Sequence, residues 1–203
     1  MKLIFATHNE GKLREMKNIL SDLPLEIVSA YEAGVLEEPV EDGATFADNA
    51  LIKARYVAER TKEWTVADDS GLCVESLGGA PGVFSARWAG EGASGEEKAD
   101  KVLKELGETP MEKRGAYFES FLALVSPAGR HWIFSGRING WITFARQEIV
   151  VRPKLPYDAI FIPKGFDKTF GQMTDEEKNA LSHRGQAFRD LKSFLLSGQI
   201  ALD

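Results

Sequence analysis

The chain has 203 residues, 43% of them hydrophobic and 28% charged, which excludes a disordered, collagenous or low-complexity protein and suits a sizeable folded core. A net charge of −6, from 31 acidic and 25 basic residues, argues against coating a polyanion, so no nucleic-acid partner is expected. No apolar run approaches the roughly 18 residues of a membrane-spanning helix, and the single cysteine, Cys73, can form no internal disulfide, so we expect a cytoplasmic protein with no membrane partner.

The first element is a strand from Lys2 to Ala6. Its apolar stretch breaks at Thr7-His8-Asn9-Glu10, too early for a signal peptide. A helix follows from about Glu10, with Leu13, Met16, Ile19 and Leu20 on one face. A strand leading through Thr7-His8-Asn9-Glu10-Gly11-Lys12 into a helix presents backbone N–H groups and the positive end of the helix dipole, an anion site to which Thr7, Asn9 and Lys12 can add donors. Equally, Thr7 or Asn9 caps the helix and nothing more. The P-loop pattern is absent.

Glu26 to Ser29 reads as a second strand. Around it, between Asn18 and Ile52, lie eight carboxylates and no Lys or Arg, flanked by Lys12, Arg14, Lys17, Lys53 and Arg55. Such a stretch is either a solvated acidic loop or a place to hold a divalent cation beside a phosphate. A long helix from Thr45 to Thr61 opens on a Thr45/Asp48 capping box and repeats Ala47, Ala50, Leu51, Ala54, Val57 and Ala58 at helical spacing. Trp64 to Ala67 is then a short buried strand, with Asp68-Asp69-Ser70-Gly71 just after it.

Adjacent carboxylates at a strand end suit a magnesium ion, to which Glu41 or its neighbour Asp42 could add a further ligand; the alternative is an Asp-rich turn capping its own backbone. The loop from Leu77 to Arg87 packs three glycines and a proline into five residues, and Arg87 at its end could reach a phosphate. A Ser94/Glu97 capping box opens a helix with Ala99, Val102, Leu103 and Leu106 on one side.

The pattern then turns to strands, Gly115 to Val125, His131 to Ile138 and Trp141 to Phe144, with turn signals at 126–129 and at Asn139-Gly140. A strand near Asp158 to Ile162 precedes a helical region from Thr174, capped with Glu177, and a last helix presents Phe188, Leu191, Phe194 and Leu195. Between them, Lys178, His183 and Arg184 are donors for carbonyl or phosphate oxygens. No Ser-His-Asp or Cys-His arrangement is evident. Alternating strands and helices with an antiparallel insertion predict an α/β fold on a mixed, twisted central sheet flanked by helices, in a single domain over 1–203.

Five segments in this order resemble the inosine triphosphate pyrophosphatase family: Ala6 to Lys12, Thr45-Phe46-Ala47-Asp48-Asn49-Ala50, Ala67 to Leu72, Leu77 to Arg87, and Glu176 to Gly185. The resemblance covers nearly the whole chain. It implies two lobes with an active-site cleft between them, a homodimer, and hydrolysis of ITP, dITP and XTP to the monophosphate and pyrophosphate. It implies that Thr7, His8, Asn9, Glu10, Gly11 and Lys12 form the triphosphate turn, with Lys53 and Arg87 as further phosphate contacts.

By the same resemblance, Glu41 and Asp69 hold Mg²⁺ and Asp69 is also the base that activates water. Ser70, Tyr157, Asp158, Lys178, His183 and Arg184 contact the nucleotide, the last three reading the 6-keto purine. Where the family carries Gly-Gly-Phe-Gly-Tyr-Asp-Pro, this chain has Pro153-Lys154-Leu155-Pro156-Tyr157-Asp158-Ala159, matching only at Tyr157 and Asp158. The prolines bar any path that needs positive φ, and Leu155 lacks the π system of the family's aromatic ring. That departure leaves open an altered base preference, or nucleotide binding without turnover.

Overall fold

The computed structural model describes residues 1–148 and 155–200. Strands β1 (Lys2–Phe5), β2 (Glu26–Ser29), β3 (Trp64–Val74), β4 (Gly115–Val125), β5 (His131–Ile142) and β6 (Phe161–Pro163) form a six-stranded sheet in the order β2-β1-β3-β4-β5-β6. β1 runs parallel to both β2 and β3, whereas β5 and β6 are antiparallel, so the sheet is mixed as the alternating pattern predicts. The helices are α1 (Glu10–Ile19), α2 (Phe46–Thr61), α3 (Gly95–Leu106), α4 (Asp175–Leu181) and α5 (His183–Leu196). The capping boxes at Thr45/Asp48, Ser94/Glu97 and Thr174/Glu177 are formed, each satisfying two helix-start donors. Among the described residues, no helix is long and apolar enough to cross a membrane.

The chain divides into two compact units, each discontinuous in sequence. The first comprises Met1–Asp69, Ser120–Gly136 and the chain from Arg184 onward; the second comprises Ser70–Glu119 and Arg137–His183. In the first, Leu3, Phe5, Met16, Leu20, Val66, Leu122, Leu124, Phe188, Leu191 and Leu195 pack together, and Phe188 meets Phe5 edge-on. A second patch of this unit sets Ala50, Ala54 and Ala58 of α2 against Ala67 and Ala123, small side chains that let the helix lie close to the strands. The second unit is built on Leu72, Val74, Val102, Phe118, Ile142, Ile160, Phe161 and Phe170.

Several strand boundaries differ from the sequence expectation. β3 does not stop at Ala67 but runs 11 residues to Val74, carrying Asp68 and Asp69 inside the strand, because cations from elsewhere in the fold neutralise them. Asn139-Gly140 makes no turn: β5 continues through it to Ile142. Gly140 pairs with Pro163 of β6, and a Cβ there would lie 2.1 Å from the Ile162 carbonyl oxygen, so the glycine serves close strand approach rather than reversal.

The last strand begins at Phe161, not Asp158, because the preceding residues form a turn in which Ile160 N donates to Tyr157 O at 3.1 Å. Gly140→Ala should therefore destabilise the protein by about 1–3 kcal/mol, as overpacking against backbone does. A urea-unfolding midpoint equal to wild type would refute that account of the glycine.

Candidate active site

Asn9 caps α1: its side-chain oxygen accepts from Gly11 N at 3.0 Å and Lys12 N at 3.3 Å, while Thr7 Oγ1 accepts from Asn9 N at 3.1 Å. Two of the N–H groups expected to face an anion are thus committed to the cap. A Cβ on Gly11 would sit 3.2 Å from Asn9 Oδ1, so a bare glycine keeps the cap undisturbed. His8 turns to the acidic loop, its Nδ1 2.5 Å from Glu38 Oε1, and Glu10 is exposed in the first turn of α1.

Asp68 is 2% exposed, and two cations hold it. Lys12 Nζ donates to Oδ1 at 2.9 Å and Arg184 Nε to Oδ2 at 3.2 Å; Arg184 Nη1 also donates to Glu15 Oε2 at 2.7 Å. The result is a buried chain, Lys12–Asp68–Arg184–Glu15, within the first unit. Burial by itself would push the Asp68 carboxyl up, but Lys12, then Arg184 and Lys53, outweigh it and hold the group far below the usual carboxylate range. For Arg184, burial opposes the charged form, and Glu15 and Asp68 more than restore it. Consecutive strand residues point to opposite faces, so the Asp68-Asp69 pair does not act as one two-carboxylate group: each has its own partners.

Asp69 meets α2. Lys53 Nζ lies 3.2 Å from Asp69 Oδ1 and 3.2 Å from Glu41 Oε2, and Asn49 Nδ2 donates to Asp69 Oδ2 at 3.1 Å. Burial would lower the Lys53 ammonium, but Asp69, Asp68 and Glu41 together raise it above its ordinary value, so it remains a full cation. Of the two acidic-loop candidates, Glu41 is the one brought to Lys53, while Asp42 is exposed. No set of three or more His, Cys, Asp or Glu side chains able to hold a metal occurs among the described residues. Two carboxylates closing on one cation nonetheless match the sparse protein ligation that magnesium takes when phosphate and water complete its shell.

In the second unit, Lys178 Nζ donates to Asp158 Oδ2 at 2.5 Å, with the side chains 4% and 5% exposed. The His183 ring stacks on Phe118 at 4.8 Å and 8°, which fixes its plane. Tyr157 is buried and donates its hydroxyl to Ser85 O at 2.8 Å, and its burial drives the phenol pKa upward. Ser85 Oγ accepts from Leu72 N at 3.0 Å, so the glycine loop is tied to β3. Ser70 is half-buried on β3, and Arg87 is exposed, its guanidinium 5.1 Å from the Phe84 ring. Leu155 and Pro156 are half-buried ahead of Tyr157, whereas Pro153 and Lys154 lie outside the described residues.

Sequence reasoning assigned no role to Glu15 or Asn49. Glu15 meets Arg184 across 169 positions, a separation no local pattern spans. Asn49 stands inside the Thr45–Ala50 motif, so its position was legible and its partners were not.

A model of the Ham1 family matches residues 3–194. The chain belongs to the Ham1 family. As a Ham1 protein it is similar to a dITP/XTP pyrophosphatase of Caldanaerobacter subterraneus subsp. tengcongensis, 42% identical over 197 residues that cover 97% of this chain and 96% of that protein. A protein of the same name from Streptomyces coelicolor is 43% identical over 192 residues, 94% of each chain. Among solved structures, a HAM1 protein from Coxiella burnetii shares 35% identity at a TM-score of 0.88, covering 97% of this chain and 98% of that one. The resemblance carried by the motifs and the mixed α/β Ham1 fold are both borne out.

Proposed function

We propose that this pyrophosphatase hydrolyses the deaminated purine nucleotides dITP, ITP and XTP to the nucleoside monophosphate and pyrophosphate, clearing them from the nucleotide pool. The near full-length similarity to proteins named dITP/XTP pyrophosphatase supports the substrate class. The single observation that carries the chemistry is the convergence of Glu41 and Asp69 on the Lys53 ammonium, 3.2 Å from each.

In this reading, water attacks the α-phosphorus, Asp69 takes its proton, the bond from the α-phosphorus to the α–β bridging oxygen breaks, and pyrophosphate leaves with that oxygen. Glu41 and Asp69 would hold Mg²⁺, because their hard oxygens already close on one cation; bound there, the metal supplies positive charge for the phosphate oxygens. Lys12 and Lys53 add further positive charge, and Thr7 and Asn9 order the turn on which the triphosphate rests. A cytoplasmic location and a homodimer belong to the same proposal and rest on the family resemblance.

In the second unit, Lys178 and His183 would read the 6-oxo group. Asp158 acts through Lys178: its carboxylate fixes where the ammonium stands. Donors aimed at a 6-oxo group are left without an acceptor when a 6-amino group arrives, which disfavours ATP. Lys178→Met should therefore lower kcat/KM for dITP by roughly 10–100-fold, the worth of one charged hydrogen bond, and lower that for dATP far less. An equal loss on both nucleotides would show that Lys178 does not read the base.

The deciding experiment is pyrophosphate release from dITP, XTP, dGTP, ATP and dTTP with and without Mg²⁺. Magnesium-dependent release, strongest with dITP or XTP, is expected. Release strongest with another nucleotide would make Leu155 and its flanking prolines a change of base preference, and no release from any of them would overturn the reading.

A further inference from the structure

The Thr45–Ala50 motif contributes a helix cap through Thr45 and Asp48, and that role leaves Asn49 unaccounted for. Asn49 is 1% exposed, and a buried amide is tolerated only when its groups are hydrogen-bonded. Its Nδ2 donates to Asp69 Oδ2 at 3.1 Å on β3, and its Oδ1 accepts from Gly43 N at 2.9 Å, two residues beyond Glu41. The amide orientation is forced, since a backbone N–H can only donate and a carboxylate accepts.

Lys53 stands one turn further along α2, on the same face as Asn49. It takes the other oxygen of Asp69 and also Glu41, so one helix face holds both carboxylates by two side chains. The loop is fitted closely to the amide. A Cβ on Gly43 would lie 2.6 Å from Asn49 Oδ1, 2.6 Å from Asp48 Cβ and 2.9 Å from Asn49 N.

We propose that Asn49 is a positioning residue that ties Asp69 to the loop bearing Glu41, and so sets the two carboxylates in the register needed to take a divalent cation together. The inference rests on the reading of Glu41 and Asp69 as the metal pair. Groups that orient metal ligands typically account for 10–100-fold in metal affinity. Asn49 touches no substrate atom in this scheme; it acts through the Asp69 carboxylate and the loop bearing Glu41.

The test uses Mn²⁺ alone as probe, titrated into the full chain and followed by the electron paramagnetic resonance of the free ion, with Mg²⁺-dependent turnover measured beside it. Asn49→Leu keeps the branched shape and heavy-atom count of the side chain and removes both hydrogen bonds; Gly43→Ala removes no hydrogen-bonding side chain but presses on the amide. Both should weaken Mn²⁺ binding about tenfold or more and raise the Mg²⁺ concentration for half-maximal turnover in step. Turnover by Asn49→Leu should recover to within a few-fold of wild type at saturating Mg²⁺, whereas Asp69→Asn should not recover.

Wild-type Mn²⁺ affinity in folded Asn49→Leu would overturn the positioning role and leave the metal reading standing. If Asn49→Leu does not fold, unchanged Mn²⁺ affinity in Gly43→Ala overturns it instead. Absence of Mn²⁺ binding to the wild-type protein would overturn the metal reading, and the inference with it.

Discussion

Asp69→Asn should reduce pyrophosphate release from dITP and XTP by roughly 10²–10⁴-fold, the contribution of a positioned general base. The substitution keeps the shape of the side chain, and the Asn49 amide can still donate to the new carbonyl oxygen. What disappears is the proton acceptor and one of the two negative charges that close on Lys53, at 3.2 Å. The thermal midpoint should stay close to that of wild type, because Asp69 is half-buried and its loss leaves Lys53 paired with Glu41. Full turnover in a folded Asp69→Asn protein would remove Asp69 from the reaction.

Asp68→Asn acts on stability first. It leaves Lys12 and Arg184, with side chains 20% and 6% exposed, without the carboxylate that both now contact. Breaking a buried charge pair from one side costs about 3–5 kcal/mol, which for a chain of this size lowers the melting midpoint by roughly 10 °C. The pH dependence has a definite sign. The folded Asp68 carboxyl titrates below its ordinary value of 3.8, so the stability it contributes is complete above that value and is lost as pH falls through the folded pKa. Wild type should lose stability steeply below about pH 4, whereas Asp68→Asn should lose that component of the slope. Parallel stability–pH curves for the two proteins in this window would show that Asp68 is not the group responsible.

Legibility followed the range of the interaction. Thr45/Asp48, Ser94/Glu97 and Thr174/Glu177 were readable because a capping box is complete within four residues. The Asn139-Gly140 pair misled for the converse reason. It is a strong hairpin signal on its own, yet the approach of Ile162 makes it a paired position within a continuous strand. Asp68-Asp69 misled likewise: two charges read as the end of a strand until Lys12 and Arg184 are seen to neutralise the first, Arg184 from 116 positions away.

The same division holds at the site. Composition and motif order determined the α/β class, the family resemblance, and the residue types that could serve a nucleotide, because these depend on periodicity and on chemistry carried by single side chains. Only the tertiary structure decided that Glu41 rather than Asp42 meets Lys53, that Asp158 holds Lys178, that Glu15 braces Arg184 and that Asn49 joins Asp69 to Gly43. A buried charge or amide is stable only beside its complement, and folding brings that complement from a distant part of the chain, where no local pattern records it.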